Sequence, residues 1–472
     1  MVMTKAFGFA ALVLLQVAGP AALGAWQSPD EGTPETAKWQ AAIDSAARAG
    51  GGRVVVPKGR HLIGGLELRS NVELHLEEGA VLEALVGLDH YRLVTLAHSE
   101  GVWSAILMGL NVTNVAITGK GTIFGNGMLW PQPKNFGNNQ EGRRARGIFF
   151  SNSRDIRLED FTLCDAACWG CVLKCCDGVV ARRVRIDNHA NVNNDGFDIE
   201  ASNALFEACD VDSADDAFVL KSNDPSFAVT NVTVRDCIAR SHCNALKLGT
   251  ASHGVMADIL FQNIRALPPK RDFTDTRPAT GNYGKPFWSG RKRYFDYPAG
   301  IGISGIALEC VDGGAVERVT CDGIEIEGYM VPLFVRGGTR RNRPCGTPPG
   351  NLYRLRDIVI RNVRGSAGYE IASSVSGVDG CRAKNILLEN IDLVCRGAGE
   401  EASRQALSRP VPDVSGGYPE ATMFRHILPA YGLWIDRADD VVLRNVRFSL
   451  RDGEKDLRPP IAGNGTAGMK GE

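Results

Sequence analysis

The chain has 472 residues, with 53 Lys and Arg against 54 Asp and Glu, a formal charge of −1, and 44% hydrophobic and 23% charged residues. This balance belongs to a folded globular protein and excludes disordered, collagenous and coiled-coil chains. With no basic stripe, the chain also lacks the field for sequence-independent attraction to nucleic acid.

The N-terminus carries Lys5, an apolar run from Ala6 to Ala18, then Pro20 and small residues up to Gly24. These three parts predict a signal peptide over 1–24 and hence a secreted or periplasmic protein. No other stretch approaches the ~18 uninterrupted apolar residues of a membrane span. Thirteen cysteines in an exported chain would suit a disulfide framework, but the number is odd and the spacing irregular. The cluster Cys164, Cys168, Cys171, Cys175 and Cys176 lacks the second matching Cys-x-x-Cys pair that a structural zinc site calls for.

One helix is predicted, from Glu35 to Ala49. From Arg53 onward, short runs of Val, Ile, Leu and Phe alternate with polar residues and are broken by Gly, Asn and Asp, which is strand-and-turn chemistry. One segment recurs: Asp155 to Phe161, Gly178 to Val184, Asn203 to Cys209, Asn231 to Cys237 and Asp258 to Ile264, with starts 23, 25, 28 and 27 residues apart. Further copies run from Arg318 to Ile324, Asp357 to Val363, Asn385 to Ile391 and Asp440 to Val446. Such periods signal a solenoid. Two apolar columns align through the copies, and Cys209, Cys237 and Cys321 fall in them, so these are expected to be buried thiols. Strand-only repeats too small to bury their own apolar face stack into a parallel β-helix with rungs about 4.8 Å apart. The early helix then caps an otherwise open edge. A single domain over 25–450 is expected, followed by a disordered tail, 451–472, rich in Gly, Pro and charge.

A second register aligns Asp195 to Glu200, Asp216 to Lys221, Asn244 to Gly249, Ser304 to Glu309 and Tyr431 to Asp436. By strand alternation, Phe197 and Ile199 and their equivalents point inward, and the residues between them point out. The small Gly196, Ala217, Ala245, Gly305 and Gly432 are expected to form a shallow outer floor. Beside them run Asp198, Val219, Lys247, Ala307 and Trp434, then Glu200, Lys221, Gly249, Glu309 and Asp436. Strict alternation would bury Asp195 and Asp216 unpaired, which is costly, so the chain is expected to bend at 194–196 and 215–216 and turn these acids outward. Three carboxylates in two rungs repel one another, and at least one should titrate high enough to serve as a general acid.

The run Asn193-Asn194-Asp195-Gly196 followed by Asp215-Asp216 resembles the paired signature of glycoside hydrolase family 28, the polygalacturonases and rhamnogalacturonan hydrolases. Gly50 to Gly59, Asn71 to Gly79 and Gly119 to Gly127 are also similar to the early coils of such proteins. The resemblance implies an all-β, single-stranded, right-handed parallel β-helix of the pectin-lyase-like kind, and an inverting hydrolysis of pectic polysaccharide needing no cofactor or metal. By position, Asp215 would be the acid and Asp195 and Asp216 the water-activating bases. Asn193, Asp198, Lys221, Asn244, Lys247 and Glu309 would bind substrate, and the protein is read as a monomer.

Two departures bear on the sugar. Asn244 stands where the family places a histidine, and Ala307-Leu308-Glu309 stands where it places Arg-Ile-Lys to grip a carboxylate. The loss of two cations points to a neutral sugar at the cleaved position, unless Lys247 substitutes; Lys247 could equally pair with Asp198 or Glu200. The insertion from Leu267 to Gly300 holds Tyr283, Phe287, Trp288, Tyr294, Phe295 and Tyr297 among basic residues, and Arg336, Arg340, Arg341 and Arg343 suggest a second basic loop. Both suit cleft walls. A calcium-dependent lyase and a non-catalytic carbohydrate-binding β-helix are the competing functions.

Overall fold

The computed structural model describes residues 34–99, 101–131, 144–271, 300–343, 347–348, 350–465 and 470–471. The expected signal peptide, 1–24, and the aromatic part of the insertion, from 272 to 299, lie outside the described residues.

The chain winds as a right-handed parallel β-helix, each strand pairing in parallel with its equivalents one turn before and after. The repeat columns become inward rows: Leu158, Ala181, Phe206, Val234, Phe261, Cys321, Ile360, Leu388 and Leu443 are successive partners through the stack. Cys209, Cys237 and Cys321 are buried in that core, and their neighbours Phe206 and Phe261 are fully enclosed. The residue opening each copy explains the punctuation. Asp155, Asn203, Asn231, Asp258, Asp357, Asn385 and Asp440 all take left-handed backbone with φ between 52° and 58°, the conformation that Asn and Asp tolerate best after glycine. Their side chains also link rungs, as in Asn231 Nδ2 to Asn203 Oδ1 at 2.8 Å.

The helix Thr36–Arg48 lies over the first coils with Trp39 and Ile43 buried, four residues apart on one face. A second helix, Gly399–Ser408, was not expected; it opens with Glu400 and Glu401 in its first turn, where the helix dipole favours them.

Three expectations are corrected. The small positions are not an outer floor: a Cβ on Gly196 would lie 2.4 Å from Val211 Cγ1, one on Gly305 2.6 Å from Ile326 Cγ2 and one on Gly432 2.4 Å from Phe448 Cγ, while Ala217 and Ala245 belong to the core. Small residues sit there because the chain turns a corner into the apolar interior. Arg336 does not belong to a basic loop; it is a buried strand residue within Ala315–Gly337, on a rung that the aligned register skipped. Finally, 451–465 is ordered. Ile461–Asn464 adds a rung on Leu433–Asp436, and Arg458 is buried against Asp456 and the carbonyls of Leu428 and Ala430. Four of the charges that suggested disorder are paired: Glu454 with Arg396, Lys455 with Glu400, and Asp456 with Arg458.

Candidate active site

The outward positions on the face that carries the acids form one continuous row: Met108, Phe149, Val172, Asp198, Val219, Lys247, Ala307, Phe334, Ser374 and Trp434. The register of Asp198, Val219, Lys247 and Ala307 is as the sequence implies. Asp195 and Asp216 do leave the inward row, because each meets an outward lysine. Lys221 Nζ lies 3.2 Å from Asp195 Oδ2 and also bonds Asp198 Oδ1, and Lys247 Nζ lies 2.9 Å from Asp216 Oδ2.

The bends are held by a dense set of amide and hydroxyl contacts. Asn188 Nδ2 donates to the Asp195 carbonyl at 2.9 Å, and Asn194 Nδ2 donates to the carbonyls of Ala166 and Cys168. Ser213 and Ser241 both donate to the Asp215 carbonyl, at 2.7 and 2.5 Å. Asn194 belongs to the signature run, whereas Asn188, Ser213 and Ser241 carry no such mark in the sequence. Asn193 is set apart from the acids: its backbone is left-handed and its side-chain oxygen accepts from Arg144 Nη2 at 3.1 Å.

The electrostatics split the carboxyls. Burial and the nearby Asp198 hold Asp195 well above the usual carboxylate range despite Lys221, and Asp198 is likewise raised by burial against the pull of Lys221. Two carboxyls around one ammonium in a dry site share a proton. Burial pushes Asp216 the same way, but Lys247 and the amide of Asn244, 2.7 Å from Oδ1, outweigh it and hold Asp216 below the ordinary value. Asn244 thus supplies a hydrogen bond to Asp216, and Lys247 supplies the opposing charge.

Lys247 therefore pairs with neither Asp198 nor Glu200. Glu200 accepts instead from Lys174 Nζ at 3.2 Å and from the backbone N–H of Asn223 and Asp224. Nor is Glu309 an added anion. It is 1% exposed, and burial pushes its carboxyl up to about 8, so below that pH it is neutral. Arg340 is committed to Asp312, and Arg341 and Arg343 are exposed. Two aromatics missing from the sequence reading border the site: the Trp169 ring, 4.4 Å from Lys221 Nζ, and Tyr418, whose ring centre is 5.8 Å from Lys247 Nζ. Asp195 and Asp216 each keep 3% of their surface exposed, and Asp215 is half-buried.

Among the described residues, Asp215, Asp216 and Cys243 are close enough to hold a metal ion, with donor atoms within 4.8 Å of one another. The set does not suit calcium, which takes six to eight oxygens: one donor is a thiol, and both oxygens of Asp216 are engaged by Lys247 and Asn244. The donor chemistry thus speaks against the calcium-dependent lyase.

Residues 50–238 match the family model of the glycosyl hydrolases family 28. Among curated proteins, none matches the sequence. The fold is similar to that of a hyperthermoactive exopolygalacturonase from Thermotoga maritima, at 19% identity over 88% of this chain and 89% of that one, TM-score 0.59. It is also similar to a family 28 exopolygalacturonase from Yersinia enterocolitica, at 17% identity over 94% and 76%, TM-score 0.65. A polygalacturonase from Erwinia carotovora has 14% identity over 92% and 94%, TM-score 0.54. The matched segment contains the first two rungs of acids, and the β-helix that carries it has the same fold as these three structures.

Proposed function

We propose that this chain is an exported glycoside hydrolase that cleaves glycosidic bonds in pectic polysaccharide, with a neutral sugar at the cleaved position. The observation that most supports it is the convergence of Asp195, Asp215 and Asp216 from neighbouring rungs, with Asp195 and Asp216 in environments that drive their proton affinities apart, the arrangement from which acid and base roles arise. Asp215, the most accessible of the three, gives its proton to the glycosidic oxygen as the C–O bond breaks. A water attacks the anomeric carbon and loses its proton to a neighbouring carboxylate.

For inversion, acid and base stand roughly 6.5–9.5 Å apart with the water between them. Donor oxygens of Asp215 and Asp216 lie within 4.8 Å, so the water belongs between Asp215 and Asp195, one rung away, and Asp216 acts as the fixed anion beside them. The neutral sugar follows from the cations. Lys174, Lys221, Lys247 and Arg340 each already hold a carboxylate of the protein, so among the described residues none of these four is left to grip a sugar acid.

The test measures reducing ends released from polygalacturonan and rhamnogalacturonan. Wild type should cut the second in preference, and Asp215→Asn should lose about 10²–10⁴-fold. If wild type cuts neither, the hydrolase reading fails. Activity that survives the substitution would take the acid role from Asp215. Proton NMR of the first product should show inverted anomeric configuration.

A further inference from the structure

The row of outward residues is buried throughout, but for only three rungs does it lack an apolar cover. Before it, Met108, Phe149 and Val172 are buried in an apolar cluster with Trp103 and Trp169. Trp103 comes from the antiparallel hairpin Val94–Thr95 and Val102–Trp103, and it stacks on Phe149 with ring centres 4.8 Å apart. After it, Ala307, Phe334 and Trp434 are buried beneath Ala421, Phe424 and Leu428. The segment that supplies this cover, 411–430, is tied down along its length: Thr339 N–H donates to the Ser415 carbonyl at 2.8 Å, and Thr250 Oγ1 meets Tyr418 Oη at 3.2 Å. Between the two covers lie Asp198, Val219 and Lys247 alone.

A third wall runs along the side. The arm that follows Ala315–Gly337 turns back across the rungs: Asn342 O bonds His253 Nε2 at 2.7 Å, and Thr347 Oγ1 is 3.3 Å from His98 Nδ1. The His98 carbonyl in turn accepts from Lys174 Nζ at 2.9 Å. The first hairpin and the last arm thus meet beside the acids, although 249 residues separate them in the chain.

We infer that the site is a pocket closed at both ends along the helix axis, and that the enzyme removes sugars from the end of a chain. Three rungs at about 4.8 Å span roughly 10 Å from first to last, and a polymer lying along the axis meets Trp103 in one direction and Phe424 in the other. Only a terminus can reach Asp215. Tyr418, 51% exposed at the edge of the cover and beside Lys247, is the residue placed to contact the terminal sugars. This inference rests on the glycosidase reading for its chemistry but not for its shape, so the experiment has two arms.

In the first arm, rhamnogalacturonan oligosaccharides of graded length, labelled at one end, are digested by wild type. Stepwise shortening with a mono- or disaccharide as the first product is expected. Mid-length fragments at the earliest times would overturn end attack. In the second arm, Asp215→Asn is titrated with the unlabelled oligosaccharides. Affinity should level off by about the trisaccharide, and Tyr418→Ala in the same background should weaken the trisaccharide about tenfold. Affinity that keeps rising with length would overturn the closed pocket even if no hydrolysis is seen. Levelling without hydrolysis would keep the pocket and sink only the glycosidase reading.

Discussion

Lys247 Nζ lies 2.9 Å from Asp216 Oδ2, so the carboxylate next to Asp215 in sequence is ion-paired with a lysine from the following rung. The pair is buried, with Asn244 completing it from the same strand. It turns a position that would otherwise repel a second carboxylate into a fixed anion. Burial alone would discharge Lys247; Asp216 keeps it charged.

Replacing Lys247 with Met is expected to be severe. It strands the Asp216 charge in a dry site, and breaking one side of a buried pair costs about 3–5 kcal/mol. The sign follows from the depressed titration of Asp216. In wild type the pair contributes its stability above the unfolded carboxylate value, near 4, and loses it as the pH falls through the lower folded value. Lys247→Met should therefore lower the melting temperature most at neutral pH and least in strong acid. Equal loss at all pH values would show that the pair carries no such linkage.

Asp198→Asn acts on the other pair. Asp195 is raised by burial first and by Asp198 next, and removing that second charge should let Asp195 ionise at lower pH, with Lys221 now its own. If Asp195 takes the proton from water, the acid limb of kcat/KM moves to lower pH, by about one unit or more. An unmoved acid limb would remove Asp195 from the ionisations that govern the rate.

The stack and the acids were legible in the sequence because both recur at fixed intervals. Asn203, Asn231 and Asn385 announce their turns by residue type, and Phe206, Val234 and Leu388 fall into register by simple counting. The corner at Gly196 was found but turned the wrong way, since alternation cannot report that the chain bends inward there to pack on Val211. The arm through Arg340, Arg341 and Arg343 is expected as a wall from its sequence, but the covers at the two ends are not. Their signal was present as an outward apolar run, Met108, Phe149 and Val172 on one side and Ala307, Phe334 and Trp434 on the other, which in water demands a cover. What hid it were two skipped rungs. Without Phe334 and Ser374 in the row, Ala307 stood beside Trp434 and the run looked isolated. The covering segments are remote in sequence and follow no repeat, so their partners emerge only in three dimensions.

Glu309 offers the last prediction, and it concerns stability. Its carboxyl is pushed up to about 8, chiefly by burial, with Lys247 opposing. A carboxyl raised in the fold binds its proton more tightly when native than when unfolded. Stability is then unaffected below the unfolded value of about 4.5, declines as the pH rises from there, and levels off above about 8. Glu309→Gln keeps the shape and the neutral state while removing the titration. Below pH 5 the variant and wild type should match, and by pH 8 or above the variant should be the more stable, by on the order of a few kcal/mol. Urea midpoints measured from pH 5 to 9 test this, and a constant difference across the range would show that Glu309 is ionised in the folded protein throughout. A neutral Glu309 also leaves a hydrogen-bond donor one rung beyond Lys247, so its replacement by Gln should spare activity, whereas Glu309→Lys would set a second cation beside Lys247 and destabilise the site.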